Sequence, residues 1–186
     1  MEKCLTDVQE WFSAITKGKL SSIQKLLKNL EGIDVAENYS INDVEHNNVT
    51  GLILAAHIGN KDVVRWFLTN KADPNASTNL GWRAIHFAAR RGHVATVDML
   101  VTSGADLEVR TQKNETPLLL ALFAHMWDTV RKLMQLGASF DERSEALFIQ
   151  YAQKGYLSTE LIGKRKNFPP ENISPKFDHK PFNETS

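Results

Sequence analysis

The chain has 186 residues, of which 42% are hydrophobic, and this is enough to bury the core of a globular protein. Lysine plus arginine and aspartate plus glutamate both total 22, so no overall charge directs the protein toward nucleic acid or an anionic membrane surface. The single cysteine, Cys4, excludes an internal disulfide and favours a reducing compartment.

The start of the chain lacks the charged segment and following apolar segment of a secretion signal. No apolar run reaches the roughly 18 residues that are needed to span a bilayer. We therefore expect a cytoplasmic protein, with the nucleus or a cilium as alternatives, and no membrane partner.

The first predicted unit, residues 5–44, contains two short apolar patterns at helical spacing, with Gly18 between them. Its connection to the next unit, through the polar residues 31–47, is longer than the later connections. Terminal units of a repeat array need one solvated face, so we interpret this unit as an atypical cap.

Three segments then recur every 33 residues without a gap, and this is the strongest pattern in the chain. They are residues 48–60 (NVTGLILAAHIGN), 81–93 (GWRAIHFAARRGH) and 114–126 (NETPLLLALFAHM). Each unit predicts a helix, a tight turn, a second helix and an extended loop. Helices of about ten residues do not persist alone in water, so these units must stack into a solenoid.

The starts of the first helices carry capping signals. Thr50 and Thr116 can accept hydrogen bonds from free helix amides, and Pro117 suits the first turn because it has no amide hydrogen. Arg83 replaces the capping threonine in the middle unit. Lys71 occupies the left-handed turn position at which the next two units have glycine, and we expect it to cost roughly 0.5 to 1 kcal/mol.

The end of the chain departs from the repeat. Residues 144–162 form a shortened unit, which we interpret as the second cap. From residue 163 to 186 prolines recur and no helical period is visible, which predicts an extended or disordered tail.

The repeated units resemble ankyrin repeats. Thr116-Pro117-Leu118 carries the first half of that family's pattern, and Ile85-His86-Phe87-Ala88-Ala89 carries the second half. The resemblance implies an all-α solenoid of stacked helix pairs with extended finger loops. The predicted domain covers residues 1–162, with repeats at about 45–77, 78–110 and 111–143 between the two caps, followed by the tail.

The histidines of the middle unit admit two interpretations. Seven residues separate His86 from His93, so one continuous helix would place both on one face as metal ligands. Gly92 interrupts that helix, and the resemblance makes His86 a structural residue bonded to neighbouring turns. No phosphate loop, nucleophile elbow or paired carboxylates appear either, so we expect no enzyme, cofactor, metal or small-molecule substrate.

Binding is the remaining class of function, and the resemblance places it on the concave face formed by finger tips and first helices. Trp82 and the pair Arg90 and Arg91 are of the types that dominate binding hot spots, so we expect them to face a partner. The alternative is that Trp82 packs on the neighbouring finger and the arginines are merely solvated. The predicted partner-binding residues are Ile58, Leu80, Trp82, Arg90, Arg91, Lys113 and Phe123.

We predict a protein-binding adaptor or inhibitor; the alternative is a structural component of a larger cytoskeletal or ciliary assembly. The predicted face is apolar at its centre and basic around it, so the expected partner is a protein segment that mixes acidic and large apolar residues. Dispersed cations among apolar groups do not track a phosphate backbone, so nucleic acid is not expected.

Overall fold

The computed structural model describes residue 10, residues 13–23 and residues 49–157. The chain divides into two compact units, residues 1–139 and residues 140–186. Most of the first predicted cap, the long loop at 31–47 and the predicted tail lie outside the described residues.

Helix pairs build the described part of the first unit. Residues 13–16 and 20–23 are helical. Six helices follow: α1 (Gly51–Ile58), α2 (Lys61–Thr69), α3 (Ala84–Arg91), α4 (Val94–Thr102), α5 (Pro117–Phe123) and α6 (Trp127–Gln135). The first helices α1, α3 and α5 pack side by side, as do the second helices α2, α4 and α6. No strand occurs in the described ranges, and the predicted all-α solenoid is confirmed.

The core lies between the two layers of helices. Phe67, Leu100 and Leu133 occupy equivalent positions in the three second helices and are completely buried. The paired alanines Ala88 and Ala89 in α3 are also completely buried. Their small side chains let neighbouring helices approach closely. A first helix this short is not stable alone in water, so it depends on this packing.

The predicted caps of the first helices are present. Thr50 Oγ1 accepts a hydrogen bond from the Ile53 amide, and Thr116 Oγ1 accepts one from the Leu119 amide, both at 3.2 Å. Arg83 makes no such side-chain bond at the start of α3. A histidine three residues further on compensates for part of this loss, because His86 Nδ1 accepts the Arg83 amide at 3.0 Å.

His86 is a structural residue, as the sequence predicts. Its ring is completely buried, and Nε2 donates a hydrogen bond to the Val109 carbonyl at 3.2 Å. Both ring nitrogens are therefore engaged in the arrangement of a neutral imidazole. Desolvation by burial, with a smaller contribution from the charge of Arg83, lowers the pKa of His86 to about 4.

The low pKa of His86 predicts that the free energy of unfolding decreases as the pH is lowered. Between pH 6.5 and about 4 the unfolded chain binds a proton on this ring that the folded chain does not bind. From pH 7.5 to pH 5 the free energy of unfolding should therefore drop by about 2 kcal/mol from this residue alone. Urea unfolding across this range tests the expectation.

The control for this pH series separates titration from general destabilisation. His86→Gln should lower stability at pH 7.5 but remove about 2 kcal/mol of the pH dependence. Thr116→Ala also destabilises, by loss of a cap, but removes no titratable group and should keep the parent's pH dependence. Equal slopes for the parent and His86→Gln would contradict the assignment.

Lys71 adopts the left-handed backbone conformation that the sequence indicates. Its φ is +63°, whereas the equivalent glycines Gly104 and Gly137 have φ of +93° and +98°. A side chain with a Cβ is strained in this region, and glycine is not. The strain is local, because it arises from the residue's own backbone.

Lys71→Gly should raise the free energy of unfolding by about 0.5 to 1 kcal/mol, since it relieves this strain. Thermal or urea unfolding measures the gain. Lys71→Ala removes the same charge but keeps the Cβ, and should give no comparable gain. A similar gain in both variants would assign the effect to charge.

Side chains join the finger loops of neighbouring repeats. Asn75 donates to the Gly104 carbonyl at 2.9 Å and accepts from the Asp106 amide at 3.0 Å. Glu108, at the equivalent position of the next repeat, accepts from the Ser139 amide at 2.7 Å. These bonds fix the spacing of the fingers.

The second unit contains α7 (Glu142–Gln153). Asp141 and Ser144 cap its start reciprocally, with each side chain accepting the other residue's backbone amide at 2.9 Å. The rings of Phe140 and Phe148 meet edge to face with centroids 5.1 Å apart. The helix agrees with a shortened terminal unit, and its role as a cap stays a prediction.

Candidate partner-binding face

The ends of the first helices present different side chains at one equivalent position. His57, Arg90 and Phe123 are related by the 33-residue period and lie near the ends of α1, α3 and α5. Arg90 is exposed, and the exposed fraction of Phe123 is 47%. Phe123 therefore contributes apolar surface at this end of α5. We call the surface carrying these residues, together with Arg91, the first-helix face.

Trp82 is not presented to solvent, so the expectation of an exposed side chain is wrong, whereas its role in partner binding stays a prediction. Its exposed fraction is 7%, and its ring centroid lies 4.8 Å from that of Phe87 and 5.9 Å from that of His86. Its backbone amide donates to Thr78 Oγ1 at 3.1 Å. The indole packs on the first helix of its own repeat, because that surface offers an aromatic neighbour.

Arg90 covers the indole of Trp82. Its guanidinium carbon lies 5.5 Å from the centroid of the Trp82 ring, within the range of a cation–π interaction. This contact holds an exposed positive charge above a buried aromatic ring. Trp82 therefore contributes to the face by positioning Arg90.

Arg91 points toward the preceding repeat. Its Nη2 donates a hydrogen bond to His57 Nε2 at 3.1 Å. Arginine has no acceptor, so the histidine nitrogen must accept, and it carries no proton. The His57 ring in turn meets Phe87 edge to face at 5.4 Å. Arg90 is thus held over Trp82 and Arg91 at His57, and both of these rings pack on Phe87.

The remaining predicted residues lie on α1 and on the fingers. Ile58 and Leu80 are half-buried, and Lys113 is exposed. The Leu80 carbonyl accepts the amide of Gln112, the residue before Lys113, at 3.0 Å, which joins the two fingers. The structure thus links Trp82 to Arg90 directly, and to Arg91 through Phe87 and His57. Binding by any of the seven predicted residues stays a prediction.

Phe87, on which both Trp82 and His57 pack, was not among the predicted residues of the face. The sequence does indicate that Phe87 lies near Arg90, because the two are three residues apart and so share one face of α3. His57 is the repeat equivalent of Arg90.

The chemistry of this face is suited to recognition. Within residues 49–157, neither Arg90 nor Arg91 forms an ion pair with a carboxylate. A guanidinium group can pair with a carboxylate through two parallel hydrogen bonds. Among the described residues, no group of three or more histidine, cysteine, aspartate or glutamate side chains is arranged to hold a metal ion.

Comparison with known families supports the repeat assignment. The family model for ankyrin repeats, three copies, matches residues 11–111 and residues 52–144. The chain belongs to the ankyrin repeat family. Ankyrin repeats generally mediate protein–protein interactions and are typically non-catalytic.

Several proteins contain ankyrin regions similar to this chain. An ankyrin repeat and KH domain-containing protein of Caenorhabditis briggsae is 33% identical over 69% of the chain, and this match covers 5% of that relative. A transient receptor potential cation channel subfamily A member 1 homolog of Caenorhabditis elegans is 29% identical over 66% of the chain and 10% of that relative. Neurogenic locus notch homolog protein 1 of Homo sapiens is 36% identical over 41% of the chain and 3% of that relative.

The matches cover a tenth or less of these three relatives. The similarity therefore extends to the ankyrin repeats and not to the whole of the larger proteins. Among the described residues, no helix is both long enough and apolar enough to cross a membrane.

Proposed function

We propose that this ankyrin repeat chain is a non-catalytic adaptor or inhibitor, which binds a partner protein through the first-helix face. The observation that carries the proposal is the positioning of Arg90 and Arg91. Arg90 stacks over Trp82 at 5.5 Å, and Arg91 is held by His57 at 3.1 Å. Side chains that are already positioned lose less conformational entropy when a partner binds.

The composition of the face supports a protein as the ligand. Arginine and aromatic residues are enriched at the centres of protein interfaces. Phe123 supplies exposed apolar area one repeat away from Arg90, so charge and apolar contact are both available. A partner segment with acidic and large apolar residues complements this surface.

Site-specific crosslinking tests where a partner binds. The photoreactive amino acid benzoylphenylalanine is introduced at position 123 in the full chain, and in a second sample at position 102 on α4, where Thr102 is also exposed. In the source cells we expect a protein adduct from position 123 and none from position 102. The same adduct from position 102 alone would place binding on the opposite layer of helices.

Charge reversal is expected to weaken binding of the crosslinked partner. Arg90→Glu with Arg91→Glu should lower affinity by at least about 30-fold, the effect of losing one hot-spot contact. Association should also slow and become less dependent on salt. Surface plasmon resonance at several salt concentrations measures both effects.

A matched control carries the same change of charge on α2. Lys61→Glu with Arg65→Glu alters two exposed cations on the second-helix layer and should bind as the parent does. Parent-like binding by the Arg90 and Arg91 variant would exclude the first-helix face. The long loop at 31–47 and the segment 163–186 would then be the next sites to test.

A further inference from the structure

The charged and apolar residues of the first-helix face follow a fixed order along the stack of repeats. His57, Arg90 and Phe123 follow one another on three helices that pack side by side. The two arginines lie on α3, where Arg91 also reaches back to His57 on α1. The exposed apolar ring lies on α5. Positive charge is thus followed, one repeat later, by an apolar group.

The distance between these two features follows from helix packing. Helices in direct contact have axes roughly 8 to 10 Å apart, and equivalent residues on neighbouring repeats are displaced by about this distance. Arg90 and Phe123 are such equivalent residues on the contacting helices α3 and α5. A ligand that engages both must therefore place its two groups about 10 Å apart.

We propose that the partner segment carries a carboxylate and a large apolar side chain on one face, separated by about 10 Å. The carboxylate binds over Arg90 and Arg91, and the apolar group packs on Phe123. The inference rests on the proposed function and adds the spacing and order of the partner's groups.

Two regular backbones provide this spacing. In a polyproline II chain, residues three apart lie on one face about 9 Å from each other. In an α-helix, residues seven apart lie on one face at about 10.5 Å. A glutamate and a phenylalanine at these separations therefore fit the face. A separation of four in the polyproline II chain, or of five in the helix, rotates one of the groups away from it.

Synthetic peptides test the spacing on the full chain. One pair is proline-rich, with the glutamate and phenylalanine three apart in one peptide and four apart in the other. A second pair is alanine-rich and helical, with separations of seven and five. Each pair has a constant composition, so it differs only in geometry. Chemical-shift titration of the isotope-labelled protein gives the dissociation constants.

In at least one pair, the peptide with the fitting separation should bind about two- to ten-fold more tightly than its permuted counterpart. The contrast should disappear in Phe123→Ala, since the apolar contact is then lost. Equal binding within both pairs, or a contrast that survives in Phe123→Ala, would overturn the inference.

Failure of the inference is distinguishable from failure of the proposed function. A cellular protein that crosslinks at position 123, together with equal binding within both peptide pairs, would preserve the function and reject the spacing. A clear difference in binding within a peptide pair, without any protein adduct at position 123, would preserve the spacing and reject the proposed function.

Discussion

Trp82→Ala is expected to lower the free energy of unfolding by about 3 to 5 kcal/mol, the usual cost of removing a buried tryptophan. The indole is 7% exposed and packs on Phe87 at 4.8 Å. Truncation leaves a cavity beside α3 and removes the aromatic support of Arg90. A typical domain has only about 5 to 15 kcal/mol of stability, so this loss is large.

Urea unfolding followed by circular dichroism measures the effect of Trp82→Ala without relying on the fluorescence of the lost indole. Phe123→Ala is the matched control, because its ring is 47% exposed, and its unfolding midpoint should change little. A loss below about 1 kcal/mol in Trp82→Ala would show that the indole is not a core residue.

Gly59→Ala should be markedly more destabilising than Gly104→Ala, although both glycines have positive φ. Gly59 has φ of +83°, and a Cβ there would lie 2.5 Å from atoms of the His93 ring. That ring is held in place, because His93 Nε2 donates to the His57 carbonyl at 3.1 Å. Backbone strain plus the displaced hydrogen bond predict a loss of about 2 to 3 kcal/mol.

Gly104 isolates the backbone contribution. Its φ is +93°, but a Cβ would meet nothing within 4 Å, so Gly104→Ala should cost only about 1 kcal/mol. Combining Gly59→Ala with His93→Ala tests the clash directly. The double variant should be more stable than the sum of the single losses predicts, by about 1 kcal/mol. Strict additivity would contradict a steric contact between the two residues.

The helix pairs, the threonine caps and the left-handed turn at Lys71 could be predicted because each depends on local chemistry. A hydroxyl before a helix, or a residue at a turn that favours glycine, acts within a few residues of itself. The 33-residue period then fixed how the pairs stack, since each pair needs a neighbour to bury its apolar side.

The side-chain contacts of the candidate face could not be predicted in the same way. Trp82 lies in a finger without helical or strand period, so its pattern does not reveal which way its ring points. Its burial depends on Phe87 in the following helix. Arg91 contacts His57 in the preceding repeat, and no local signal predicts a hydrogen bond between residues 34 positions apart.

The equivalence of His57, Arg90 and Phe123 bears on how such a surface evolves. An imidazole, a guanidinium and a phenyl ring occupy one position of a common backbone, while the alanines beneath them remain buried. Residues that choose a ligand are therefore separate from residues that hold the helices together. Single substitutions at one of these positions can alter specificity within one repeat and leave neighbouring repeats unchanged, so new partners can be acquired step by step without loss of the fold.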